Sequence, residues 1–471
     1  MVAMAARGNF VLGADPISEA TPAPSPGGNQ GAGSVTPQGA VKAPTANVAG
    51  EAALLANPPA GTPAPAIGGG GTASKPSGKQ AQKFSLLDPK SWPFSLIPVP
   101  EIATDPNGGI TTGVLPVMLF TNDQHQITNI LAPDIYHNTN VGAGGHFRWL
   151  AYPSEDTQYY VIAGAAQNIA REVDLFYSTG RQHDRRWSFD LRFYYEKDPT
   201  ERFFGIGNDT SQGGESNYTT KQIYGESKVG LNITPNLQLQ WMERPKWVRI
   251  ERGALSPQIP FIGVLYPTVK GLGGGTEMMN RLLLAYDNRD SPDIPHQGGL
   301  YRFFGGISDR RFISSSSYDQ IGADAHNYLP IGTRVTLASH AYLQYTPAGI
   351  ETPFWAMARL GGEDSLLTDQ QTLRGYGAGR FVDNNVFVLN LEARTRVYEH
   401  NIFDTHGVVE LAPFFEAGSV FHDFDDNPVH RLHPVGGVGF RGIAEPFVVG
   451  YVDVGFGGEG ASLFSGVNYP F

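Results

Sequence analysis

Arg374 stands in the run Gln371-Thr372-Leu373-Arg374-Gly375-Tyr376-Gly377-Ala378-Gly379-Arg380-Phe381, where glycines at 375, 377 and 379 let a long loop turn back on itself. Two strands later comes Glu416, in Phe414-Phe415-Glu416-Ala417-Gly418. A carboxylate on a buried face needs a partner. A guanidinium suits it, because its planar fork can donate two hydrogen bonds to one carboxylate. The spacing therefore points to an ion pair between Arg374 and Glu416, with Arg394, Arg396 and Arg441 as rival partners for the acid. Catalytic chemistry has no comparable candidates. Cysteine is absent, and neither a Gly-x-Ser-x-Gly elbow nor a His-Glu-x-x-His helix occurs. Asp423, Asp425 and Asp426, flanked by His422 and His430, have the ligand types of a cation site but read as a solvated acidic loop. No metal, cofactor or enzymatic activity is assigned.

The elements that must position Arg374 and Glu416 are strands. From Gly108 onward the sequence repeats with a period of two. Trp187, Phe189, Leu191, Phe193 and Tyr195 alternate with Ser188, Asp190, Arg192 and Tyr194; Phe387, Leu389, Leu391, Ala393, Thr395 and Val397 back onto Asn390, Glu392, Arg394 and Arg396. Sixteen strands can be drawn, with 157–178 read as one of them. Alternate connections then sort by length, the long loops 205–215, 251–276, 347–383 and 421–433 all falling on one side. That segregation belongs to an antiparallel transmembrane β-barrel, and a sandwich has no reason for it. Sixteen strands enclose a lumen too wide for side chains to fill, so the polar face turns inward and the apolar face meets lipid. On the strand at 408–420 this aims Glu410 and Glu416 into the lumen, and a loop carrying Arg374 must fold inward to meet them. Pro413 within that strand removes one ladder donor.

The 471 residues carry a formal charge of −11 and a pI near 5.5, which excludes the basic footprint of a nucleic-acid binder. No apolar run approaches the roughly 18 residues of a membrane helix, which says nothing against strands. Residues 1–83 are a Pro/Gly/Ala-rich low-complexity segment expected to be disordered. Residues 84–107, apolar but full of proline, read as a capping lead-in, and 108–471 as the barrel. Phe10-Val11-Leu12 is too short for the core of a signal peptide, so export implies a leader that this start does not display.

From about Ser95 to Phe471 the chain resembles the barrel domain of the BamA/TamA/FhaC superfamily of outer-membrane assembly and transport proteins, the surface-antigen type of barrel. Leu373-Arg374-Gly375-Tyr376 is similar to that family's signature loop. Phe415-Glu416-Ala417-Gly418 is similar to its aromatic-acid-x-glycine strand motif, with Glu where the family more often has Asp. Gly437, Gly439 and Arg441 match its next-strand pattern; Asp287, Arg289 and Asp290, followed by Pro295 and Gly298, match its mid-barrel turn; Phe203 to Thr210 also occurs in short members. The C-terminal Tyr469 and Phe471, continuing an outward alternation from Leu463, look like the sorting signal of such barrels. The resemblance implies a non-enzymatic outer-membrane protein with an inward-folded signature loop, Arg374 latched to Glu416 in the lumen, and a weak seam between first and last strands. Low-complexity residues ahead of the barrel cannot supply POTRA domains. The expected partners are therefore outer-membrane lipids, a separate periplasmic or lipoprotein partner, and a client polypeptide or lipid to be inserted or exported. The alternative is a passive outer-membrane pore or surface scaffold.

Overall fold

The computed structural model describes residues 94–471 apart from 106, 123–126, 155, 181–184, 254, 256–257, 292–293, 348–351, 363–369, 403–404, 445–447 and 468. The low-complexity segment 1–83 and the first part of the expected lead-in lie outside the described residues. The strands are β1 (Ser95–Asp105), β2 (Gly109–Thr121), β3 (Ile127–Leu131), β4 (Asp134–Asn138), β5 (Gly142–Ser154), β6 (Thr157–Ala166), β7 (Arg171–Thr179), β8 (Trp187–Phe203), β9 (Ser216–Thr234), β10 (Leu237–Arg252) and β11 (Gly275–Asp287). They continue with β12 (Gly298–Ser308), β13 (Tyr318–Ile331), β14 (Val335–Tyr345), β15 (Ala358–Leu360), β16 (Gln370–Gln371), β17 (Phe381–Asp383), β18 (Asn385–Ile402), β19 (Thr405–Phe421), β20 (His433–Ala444), β21 (Val448–Gly457) and β22 (Gly460–Val467). The one α-helix among the described residues is the short α1 (Ile262–Leu265).

Nineteen of these segments form one antiparallel sheet in which each strand pairs with its neighbours in sequence. β3 and β4 share one place between β2 and β5, leaving eighteen strand positions. The sequence-based count of sixteen is corrected at two points. The stretch 157–178 is two strands, folded at Gln167–Ala170, where Ile169 takes φ 69° and Ala166 N–H donates to the Ala170 carbonyl at 3.0 Å. That turn has neither glycine nor proline to announce it. Residues 95–105, taken for lead-in, form β1, paired along its length with β2. Proline is tolerated there because β1 is a terminal strand with one edge outside any ladder. Proline also explains the split between β3 and β4: Pro116 on β2 lies opposite the break at Ala132–Pro133, and neither proline has a donor to give.

The distribution of side chains is inverted relative to a soluble protein. Trp241, Leu282, Phe303, Ile321, Leu391, Phe415 and Phe440 are exposed, whereas Arg148, Asp174, Glu392, Arg394, Glu410, Glu416, Arg441 and Asp453 are buried. Water would penalise such an exterior and hydrocarbon would not. The long connections 204–215, 253–274, 346–384 and 422–432 share one end, and the turns at 235–236 and 332–334 lie at the other. The connection after β14 holds a second sheet of its own, β15 flanked by β16 and β17.

Candidate functional site

The residues between β16 and β17 lie against the buried face of β18–β20. Leu373 and Tyr376 from this loop, with Leu360 of β15 and Phe381 of β17, pack with Val386 and Val388 of β18, Phe414 of β19 and Val435 of β20. Glycine allows the approach. A Cβ on Gly375 would fall 2.7 Å from Gly457 N, and one on Gly455 would collide with the Arg374 carbonyl. Tyr376 then reaches beyond β21, where its hydroxyl accepts from Gly458 N–H at 2.9 Å.

Against this backing, Arg374 is fully buried. Its backbone N–H donates to Glu416 Oε2 at 2.5 Å and its Nε to Glu416 Oε1 at 2.7 Å. Nη1 pairs with Asp453 Oδ2, and Nη2 lies 3.7 Å from Glu392 Oε2. The guanidinium also sits over the Phe414 ring, 3.8 Å from its centroid. Arg441 closes the array, donating to Glu392 Oε1 at 2.5 Å and pairing with Asp453 Oδ1. Arg394 Nε is 3.8 Å from Glu392 Oε1. Three guanidinium groups thus meet three carboxylates, Glu392, Glu416 and Asp453, so formal charge balances within a buried cluster. Burial alone opposes the charge on Arg374, which belongs to a loop and not to a spanning strand. Glu416, Asp453 and Glu392 outweigh that burial and raise its pKa above the ordinary value.

Asp453 is the member sequence reasoning missed. The signal was present, an acid between Val452 and Val454 on the same face as Tyr451 and Gly455. The strand-motif glycines provide room: a Cβ on Gly437 would strike Phe414, one on Gly439 would strike Asp453 and Arg441, and one on Gly418 would crowd Leu360. Pro413 sits within β19 without a register shift. β19 and β20 stay in register through Pro413↔Val438, and the β18 ladder simply skips that position.

The turn residues lie at the opposite end. Arg289 Nε and Nη2 grip Asp287 at 2.9 and 2.7 Å, while Asp290 Oδ1 accepts from the backbone of Ser291, His296 and Gln297. Gly298 holds φ 91° and Pro295 is buried beside Ile294, which packs with Val408, Ile443 and Val449. The turn is therefore separate from the Arg374 cluster.

The outward direction expected of the C-terminal side chains is corrected. β22 ends at Val467, and outward alternation does not continue to Tyr469 and Phe471. The Tyr469 hydroxyl donates to Glu410 Oε2 at 2.9 Å, its ring lies 3.5 Å from the Arg394 guanidinium, and Arg394 Nη2 donates to the Phe471 carbonyl at 3.2 Å. The physical reason is that Arg394 and Glu410 on the polar face offer partners that lipid does not.

A family model described as the Omp85 superfamily domain matches residues 157–432, more than half of the chain. The chain belongs to the Omp85 superfamily. As an Omp85 protein it is a β-barrel of the bacterial outer membrane, of the insertion and translocation type. Among solved structures it is similar to BamA from Haemophilus ducreyi lacking POTRA domains 1-3, with 13% identity and a TM-score of 0.48, covering 79% of this chain and 74% of that one. It is also similar to CdiB from Escherichia coli (12%, TM-score 0.45, 79% and 62%) and CdiB from Acinetobacter baumannii (12%, TM-score 0.39, 80% and 59%). The chain spans less than two thirds of the length of either CdiB. No curated protein gives a significant match.

Proposed function

We propose that this Omp85 barrel assists the insertion or export of a polypeptide or lipid by parting the seam between its first and last strands, with a separate periplasmic partner capturing the client. The loop carrying Arg374 is an inward-folded latch that keeps the wall of β18–β21 rigid while the seam beside it, beyond β22, parts. No step is enzymatic. The observation that carries the reading is the seam itself. Among the described residues, β1 and β22 meet through Thr104 Oγ1 donating to the Leu463 carbonyl at 3.4 Å, with no backbone ladder between them. Pro98 and Pro100 support it. Two residues apart, they withhold N–H groups from the same edge of β1, and the ladder to β2 is unbroken, so that edge faces the seam.

Because the chain has no cysteine, Thr104→Cys combined with Leu463→Cys gives a seam that can be locked by oxidation. In liposomes, the reduced pair should accelerate insertion of a client barrel and the oxidised pair should not. Equal acceleration in both states removes the seam from the mechanism. Ion conductance without acceleration in either state supports the passive pore.

A further inference from the structure

We propose that the inner wall binds one divalent transition-metal ion, of the zinc class, through Asp324, His326 and His340. Asp324 and His326 are successive inward residues of β13, and His340 stands directly across the ladder from His326 on β14. Asp324 Oδ1 lies 3.0 Å from His326 Nε2 and 3.1 Å from His340 Nε2, and all three side chains are buried.

Hydrogen bonding around these atoms points to three lone pairs converging. His340 Nδ1 faces Asn390 Oδ1 at 2.8 Å. An amide oxygen can only accept, so Nδ1 carries a proton, and in the neutral ring Nε2 presents its lone pair to Asp324. On His326, Nε2 is approached by Arg302 Nη2 at 3.5 Å. A guanidinium can only donate, so in the neutral ring this nitrogen carries a lone pair, and at 3.5 Å the contact is too long to hold it against an ion. The carboxylate oxygen between them is a third. Acceptors about 3 Å apart with no proton between them repel, and a cation turns that repulsion into coordination.

The spacing fits. Zinc–ligand bonds of roughly 2.0–2.2 Å in tetrahedral geometry place ligand atoms a little over 3 Å apart. Two imidazoles and one carboxylate, with a fourth position for water, form a donor set that zinc accepts. The outer contacts are those of a metal site as well. Asn390 orients His340 through its other ring nitrogen, and Arg302 holds Asp324 by Oδ2, leaving Oδ1 for the ion. Phe471 stacks on His340 with ring centroids 5.7 Å apart, so the bound ion would sit beneath the C-terminal residue.

The test uses the full chain in detergent, without a histidine tag, titrated with Co²⁺ and with Zn²⁺ against a chelating dye. One Co²⁺ per chain should bind with the intense visible absorption of a tetrahedral site, and Zn²⁺ should displace it. His326→Ala and His340→Ala should each weaken binding by at least 100-fold, and Asn390→Ala by about 10- to 100-fold. His422→Ala, in the exposed loop, should change nothing. If an alanine variant fails to fold, His340→Asn, close to it in size, takes its place. Stoichiometric binding that survives loss of both His326 and His340, or an unaltered chain that takes up no Co²⁺, overturns the proposal. The latter result would mean that a proton shared between imidazole and carboxylate fills the gap.

Discussion

Gly375 and Gly457 lie back to back: a Cβ on Gly375 would fall 2.7 Å from Gly457 N, and a Cβ on Gly457 would fall 2.6 Å from the Gly375 carbonyl oxygen. The loop that carries Arg374 reaches its acids only because both partners lack a side chain. Gly375→Ala should therefore destabilise the folded barrel by about 1–3 kcal/mol, the usual range for overpacking. Gly436→Ala, where a Cβ meets nothing within 4 Å, should be close to neutral. Heat-modifiable migration on gels compares the two, and equal behaviour would mean that the loop is not held against β21.

Arg374 and Glu416 share two hydrogen bonds in a site closed to water. Removing either side chain strands a buried charge, at about 3–5 kcal/mol for each single change. Since the second change removes the charge stranded by the first, Arg374→Ala with Glu416→Ala should cost much less than the sum of the two. A double-mutant cycle in urea measures the coupling. Strict additivity would refute the pair.

Asp453 and Glu392 make the cluster more than a pair, and this separates arginine from lysine. Arg374→Lys preserves the charge but cannot reach Glu416, Asp453 and Glu392 from one planar fork. Its melting temperature should fall between those of the unaltered chain and Arg374→Ala. Full retention of stability in the lysine variant would show that charge alone suffices.

The exposed apolar face gives a prediction graded by depth. Leu391→Arg, near the middle of β18, should cost about 2–4 kcal/mol of folding free energy in lipid vesicles. Tyr398→Arg, exposed near the end of the same strand, should cost about 0–1 kcal/mol. Equal costs would argue that this face does not meet hydrocarbon.

Tyr469 discriminates between an outward sorting signal and an inward-turned tail. Tyr469→Phe keeps the aromatic ring but loses the hydroxyl bonded to Glu410. It should lower stability by about 1.5–3 kcal/mol, as hydrogen bonds to charged groups do. An unchanged urea midpoint would place the hydroxyl in no such contact.

Local alternation was enough to determine the all-β class, the polar and apolar faces and the sorting of loops by length, because in a strand each residue's face follows from its parity alone. Phe387, Leu389 and Leu391 against Asn390, Glu392 and Arg394 carried that information within one segment. The strand count was not local. Gln167–Ala170 turns without glycine or proline, and β1 is a strand only because β2 lies beside it to complete its ladder. The ionic cluster was half legible: Arg374 and Glu416 stand out by their glycine and aromatic neighbours, whereas Asp453, Glu392 and Arg441 become their partners only when four strands and a loop come together. The inward turn of Tyr469 and the convergence of Asp324, His326 and His340 were decided by tertiary structure as well. Which buried polar group meets which depends on register and curvature between strands far apart in the chain, and no pattern within a single strand encodes that.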